Sequence, residues 1–81
     1  MTFRELQRRL VACLEQRVRS GQTTERGLAR LTGVSQPHMH NVLKGKRVLS
    51  SETADAICRE LKIDLLDLFE PAELLKRVRQ P

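Results

Sequence analysis

Apolar residues recur along this chain at intervals of three and four, in short stretches broken by glycines and small hydroxyl residues. Phe3, Leu6, Leu10, Val11, Leu14 and Val18 form the first stripe, the spacing of an amphipathic helix with its arginines on the other faces. Thr2 reads as its N-cap, Glu5 completes a capping box, and Gly21 after Ser20 ends it. Thr24 opens a second helix with Glu25 in its first turn, Leu28, Ala29 and Leu31 as its inner face, and Gly33 as its stop after Thr32. Gly27 lies inside this short helix, at up to about 1 kcal/mol against Ala. Ser35 caps a third helix with Pro37 in its first turn, where the missing N–H has no intrahelical use. Met39, Val42 and Leu43 share one of its faces, and Gly45 ends it. Ser50 or Ser51 caps a fourth helix carrying Ala54, Ile57, Cys58 and Leu61. Asp64, with Asp67 three residues on, opens a short fifth with Leu65, Leu68 and Phe69. Pro71 starts a final turn or helix over 72–79, whose apolar side is Leu74, Leu75 and Val78. Nothing alternates with period two, so the pattern predicts no strand.

The 81 residues contain no repeat and no Gly/Ser- or Pro-rich linker, so the expectation is one small all-α domain. Residues 1–70 would be the domain proper and 71–81 a C-terminal helical extension. Aromatics are confined to Phe3 and Phe69, and the apolar mass is largely Leu, which favours helix over sheet. No apolar stretch approaches the roughly 20 residues of a membrane span. Residues 1–9 carry charge without a following apolar segment, unlike a secretory signal. Cys13 and Cys58 are too few for a disulfide framework and sit on apolar faces, so they read as small core residues in a reducing, cytoplasmic setting. The charge of +5 is polarised: residues 1–20 carry +3, 21–49 carry +4, 50–70 carry −4 and 71–81 carry +2. A basic surface of this kind suits a polyanion such as nucleic acid.

The informative stretch runs from Thr24 to Leu43. Ala29 sits where two helices can cross closely, and Gly33, four residues on, makes the turn. Met39 and Val42 follow as apolar anchors aimed back at the preceding helix. Those offsets are the arithmetic of a helix-turn-helix. The run "TERGLARLTGVSQPHMHNVLKGKR", followed by "LSSETADAICRELKIDLLDLF", resembles the phage-repressor (Cro/CI, Xre-type) DNA-binding domain over roughly residues 3–70. The resemblance implies a five-helix, lambda-repressor-like bundle whose third helix enters the DNA major groove. It further implies a transcriptional regulator that acts as a homodimer on a double-stranded operator, with repression by occlusion as the simplest outcome. Gly27, Pro37 and the segment after Pro71 depart from the family pattern.

At 100° per residue the third helix turns Pro37, His40, Asn41 and Lys44 away from its apolar side, with Gln36 and His38 on the flanks. Gln or Asn can pair bidentately with adenine, Pro37 can touch a thymine methyl, and His40 can donate to guanine or phosphate. By family position Gln36, Pro37 and Asn41 resemble the base-reading set, with His40 an added candidate. Thr24 and Ser35 offer hydroxyls and helix N-termini to phosphates, and Lys44, Lys46 and Arg47 would grip the backbone beside the groove. Each has a plainer reading: Gln36 and Asn41 as solvated polar residues, and the three cations as complements to a helix C-terminus. His38 and His40 lie two apart and face different ways, which does not make a zinc site. No catalytic motif and no small-molecule site is apparent, so an enzyme is not expected. The competing reading is a helix-turn-helix adaptor or antitoxin-like interaction module. Such a module would present apolar residues on the third helix. The terminal stripe of Leu74, Leu75 and Val78 must be covered either by Phe3 and the first helix or by a second subunit.

Overall fold

A computed structural model of the chain describes the backbone of residues 1–79 and the side chains of residues 1–75. Among the described residues there are five α-helices: α1 (Phe3–Arg19), α2 (Glu25–Thr32), α3 (Gln36–Leu43), α4 (Ser51–Leu61) and α5 (Pro71–Arg79). No strand occurs among the described residues.

Each start is made by the side chain that the sequence offers for it. The hydroxyls of Thr2, Thr24, Ser35 and Ser50 accept from the backbone N–H three residues on, satisfying one of the orphan donors of α1 to α4. Gly33 closes α2 in the left-handed region, at φ 77°, with its N–H on the Ala29 carbonyl. An L side chain resists that conformation, so the tight turn into α3 rests on this glycine. The end of α4 is different: Lys62 takes φ 55° without being glycine, and no sequence signal marked it.

The short fifth helix expected from Asp64 through Phe69 is present as a 3-10 helix over Leu65–Leu68 that stops before Phe69. The segment is squeezed between left-handed Lys62 and Pro71. Proline disfavours the helical conformation in the residue before it, so the turn cannot run on. Phe69 is already extended, at ψ 146°. The helix after it begins at Pro71 itself.

Leu10 and Leu14 of α1, Leu28 and Ala29 of α2, Met39, Val42 and Leu43 of α3, Leu49, Ile57 of α4 and Ile63 make the core. Helix α2 packs on α3 and α4, and α1 lies across α3 and the 3-10 turn. Cys13 and Cys58 are free thiols packed at the edge of this core. Burial, with smaller contributions from Asp55 and Cys13, pushes the Cys58 thiol above its ordinary value.

Arg9 ties the C-terminal segment to α1. Its Nη1 donates to the Leu68 carbonyl at 2.9 Å and to Glu73 Oε1 at 2.6 Å, and Nη2 donates to Glu73 Oε2 at 3.1 Å. The paired bonds of the Arg9 guanidinium hold the Glu73 carboxyl down at about 2, and the Glu70 N–H adds to the effect. Phe3 and Leu75 nonetheless each remain 63% exposed and Leu74 36%, so the terminal stripe is not closed over by Phe3. The side chain of Val78 lies outside the described residues.

Candidate nucleic-acid interface

Helix α3 is fixed from behind. Met39 and Val42 are fully buried and Leu43 nearly so, which aims the opposite face outward. On that face Gln36, Pro37 and His40 are exposed and Asn41 is half-buried. These four, with Glu25 from α2, line one shallow recess of about 310 Å3. His38 is half-buried on the flank and lines no part of it.

Both helix starts lie beside this face. Thr24 Oγ1 accepts from Gly27 N–H at 2.9 Å, and Ser35 Oγ accepts from His38 N–H at 3.2 Å. Each hydroxyl thereby caps its helix and still has a proton to give. Thr24 also lines a second recess, of about 540 Å3, together with Thr23, Glu25, Arg26 and Gln36.

The three cations follow α3 directly. Lys44 is its C-cap. Lys46 N–H and Arg47 N–H donate to the Asn41 carbonyl at 2.8 and 3.3 Å, and Gly45 N–H donates to that of Val42 at 3.0 Å. Gln7 on α1 reaches the Leu49 carbonyl at 2.7 Å, holding the far end of the same loop. Lys44, Lys46 and Arg47 are all exposed on this pinned backbone.

Four residues at this surface escaped the sequence. Arg4 and Arg8 share a recess of about 430 Å3 with Lys44 and Arg47. They lie one turn apart on α1, among the arginines that the apolar stripe leaves on the other faces. Arg26 Nε donates to Gln36 Oε1 at 3.5 Å, a long contact. Glu25 Oε2 lies 2.8 Å from His40 Nδ1. The sequence shows Glu25 only as a first-turn acid favoured by the helix dipole, because a pairing across fifteen residues leaves no trace in periodicity. It is the single carboxylate among the residues lining the three recesses.

Among the described residues no group of three His, Cys, Asp or Glu converges as a metal cage. None of the described helices is long and apolar enough to cross a membrane. Two short helices joined by a glycine turn, the second backed onto a helical bundle with a polar front and a basic end, define a helix-turn-helix DNA-binding fold. The sequence model of the Cro/C1-type HTH DNA-binding domain matches residues 19–78. The chain belongs to that family, and is a DNA-binding domain of the Cro/C1 type. No curated protein and no solved structure matches it.

Proposed function

We propose that the protein is a sequence-specific transcriptional regulator that lays α3 in the major groove of double-stranded operator DNA and represses by occlusion. The observation that carries this reading is the division of α3. Its apolar side is sealed by Met39, Val42 and Leu43, and its outer side gathers Gln36, Pro37, His40 and Asn41 into one recess. Gln36 and Asn41 bring donors and acceptors that match base edges, and Pro37 brings an apolar edge for a thymine methyl. Thr24, Ser35, Lys44, Lys46 and Arg47 hold the phosphates on either side, and His38 touches the flank. Arg4 and Arg8 lie close enough to Lys44 and Arg47 to extend the same positive field.

An adaptor or antitoxin-like module would present large apolar side chains on α3. The exposed face has none among its recess-lining residues, which favours the duplex. One helix reads only a few base pairs, so a homodimer on two half-sites about 34 Å apart supplies the needed discrimination. The exposed Leu66, Leu74 and Leu75 offer the apolar surface for it. Residues 1–70 carry the reading head together with Leu66, and 71–81 serve as the extension that adds Leu74 and Leu75 to this surface. A reducing cytoplasm, where DNA is accessible, is the compartment consistent with two free thiols.

The test is selection of bound duplexes from a random library, followed by gel shifts at two salt concentrations. Recovery of a two-fold symmetric motif supports the reading. Asn41→Ala should then cost about 1–3 kcal/mol and relax one base position. Equal weakening on every sequence would remove Asn41 from the base-reading set.

A further inference from the structure

The Glu25–His40 pair lies within the recess formed by the outer face of α3, and its chemistry restricts what His40 can recognise. An ionised carboxylate can only accept, so the 2.8 Å contact places the ring proton on Nδ1. In the neutral ring the other nitrogen, Nε2, is then an acceptor. Free neutral histidine favours the opposite tautomer, with the proton on Nε2. Glu25 therefore selects the less common form and holds the ring at Nδ1, while half of the His40 side chain stays exposed. The other members of the recess, Gln36, Pro37 and Asn41, carry no charge that competes for the ring, and Arg26 is directed to Gln36. A carboxylate on a surface meant for phosphates is unfavourable by charge alone. Placement at the start of α2 offsets only part of this, so its partner on α3 is the more telling reason for its presence.

We propose that Glu25 is a positioning residue for specificity: it fixes His40 with Nε2 outward as an acceptor, so that His40 selects a base carrying an exocyclic amino group, cytosine N4 or adenine N6. This rests on α3 facing the duplex, as proposed above. It reverses the simplest expectation from sequence, in which His40 donates to guanine.

Two measurements on the full chain at about pH 8.5 test it. The first is selection from a random duplex library with the wild type, Glu25→Ala and His40→Ala, each checked for helicity by circular dichroism. The wild type should prefer C or A over G or T about tenfold at one position. His40→Ala should flatten that position to within about twofold, Glu25→Ala should lose the preference for C or A or move it toward G or T, and both should keep the remaining motif. The second is nitrogen-15 NMR of the His40 ring, which should show the Nδ1–H tautomer in the wild type and the Nε2–H form in Glu25→Ala. If Glu25 serves only the dipole of α2, its loss leaves the base preference unchanged, and the assignment is overturned. A wild-type ring protonated on Nε2, or on both nitrogens at this pH, overturns it as well. Absence of enrichment with every protein removes the DNA reading itself and the base contact with it, whereas enrichment indifferent to Glu25 removes only the present inference.

Discussion

Gly27 occupies the third position of α2, where Ala would ordinarily add up to about 1 kcal/mol of stability. The surroundings of this glycine predict otherwise. A Cβ placed there would lie 3.1 Å from Thr24 Oγ1 and 3.4 Å from Thr23 Oγ1. Thr24 Oγ1 cannot step aside freely, because it accepts from Gly27 N–H at 2.9 Å as the N-cap of α2. Moving it by a few tenths of an ångström weakens a cap worth about 1 kcal/mol. Gain and loss are therefore of equal size, and Gly27→Ala alone should change stability by about 0 ± 0.5 kcal/mol. Thr24→Ala should cost about 1 kcal/mol by itself. With the hydroxyl removed, Gly27→Ala should recover most of its ordinary benefit, giving a coupling of about 1 kcal/mol between the two sites. Denaturant unfolding followed by circular dichroism on the four proteins of this cycle measures it. A full 1 kcal/mol of stabilisation from Gly27→Ala in the wild-type background would refute the reasoning, because the cap would then have yielded without loss. So would additivity of the two changes.

Three further outcomes are expected. Lys46 is exposed on a backbone pinned to the Asn41 carbonyl, so Lys46→Ala should weaken binding to all duplexes alike and reduce the salt slope by about one; an unaltered slope in salt-titrated gel shifts would take it out of the phosphate set. The Glu73 carboxyl is depressed to about 2 by Arg9, so its contribution is present above the ordinary carboxylate range and is lost as pH falls through that range toward 2. Thermal unfolding between about pH 6 and 2 should accordingly show a steeper acid loss in the wild type than in Glu73→Gln, and parallel curves would contradict the Arg9 clamp. Met39 is fully buried, so Met39→Ala should cost about 2–5 kcal/mol and Met39→Leu under about 1.5, both read from denaturant midpoints. A Met39→Ala protein as stable as the wild type would mean that α3 does not seat through this residue.

How much of this was legible in the sequence depends on the range of the interaction. Caps act over three residues, and Thr2, Thr24, Ser35 and Ser50 cap where their types and spacing predict. The apolar side of α3 was equally legible, since Met39, Val42 and Leu43 follow helical spacing and are all buried. Long-range pairings were not. Arg9 with Glu73, sixty-four residues apart, and His40 with Glu25, fifteen apart, depend on how helices cross. The short helix after Asp64 is present, but its 3-10 form and its end before Phe69 are not legible from spacing. Its Asp64 cap is real, accepting from Leu66 N–H at 2.9 Å, but a good start does not make an α-helix when Pro71 leaves no length for it. Gly27 had looked like a weak point of α2. It is the residue that leaves space for the cap, which propensity alone does not reveal.

The two hydroxyls that cap the helices of the helix-turn-helix are also assigned to the phosphates, and this overlap decides how variants must be read. Thr24 accepts a backbone N–H with one lone pair and keeps its own proton for an outside acceptor. Ser35 is arranged in the same way. Substituting either by Ala therefore removes a cap and a phosphate donor together, and a loss of DNA binding could come from a frayed helix. Exchanging Thr24 for Asp separates the two contributions, because the carboxylate still accepts the Gly27 N–H as a cap and has no proton to give a phosphate. The cations differ: Lys44, Lys46 and Arg47 use only their backbones in the fold, so truncating their side chains leaves the loop's hydrogen bonds in place. Loss of binding without loss of stability is thus the signature to demand of the lysines and the arginine. For the two hydroxyl residues truncation to Ala cannot give that signature, and Thr24→Asp and Ser35→Asp are the exchanges that can.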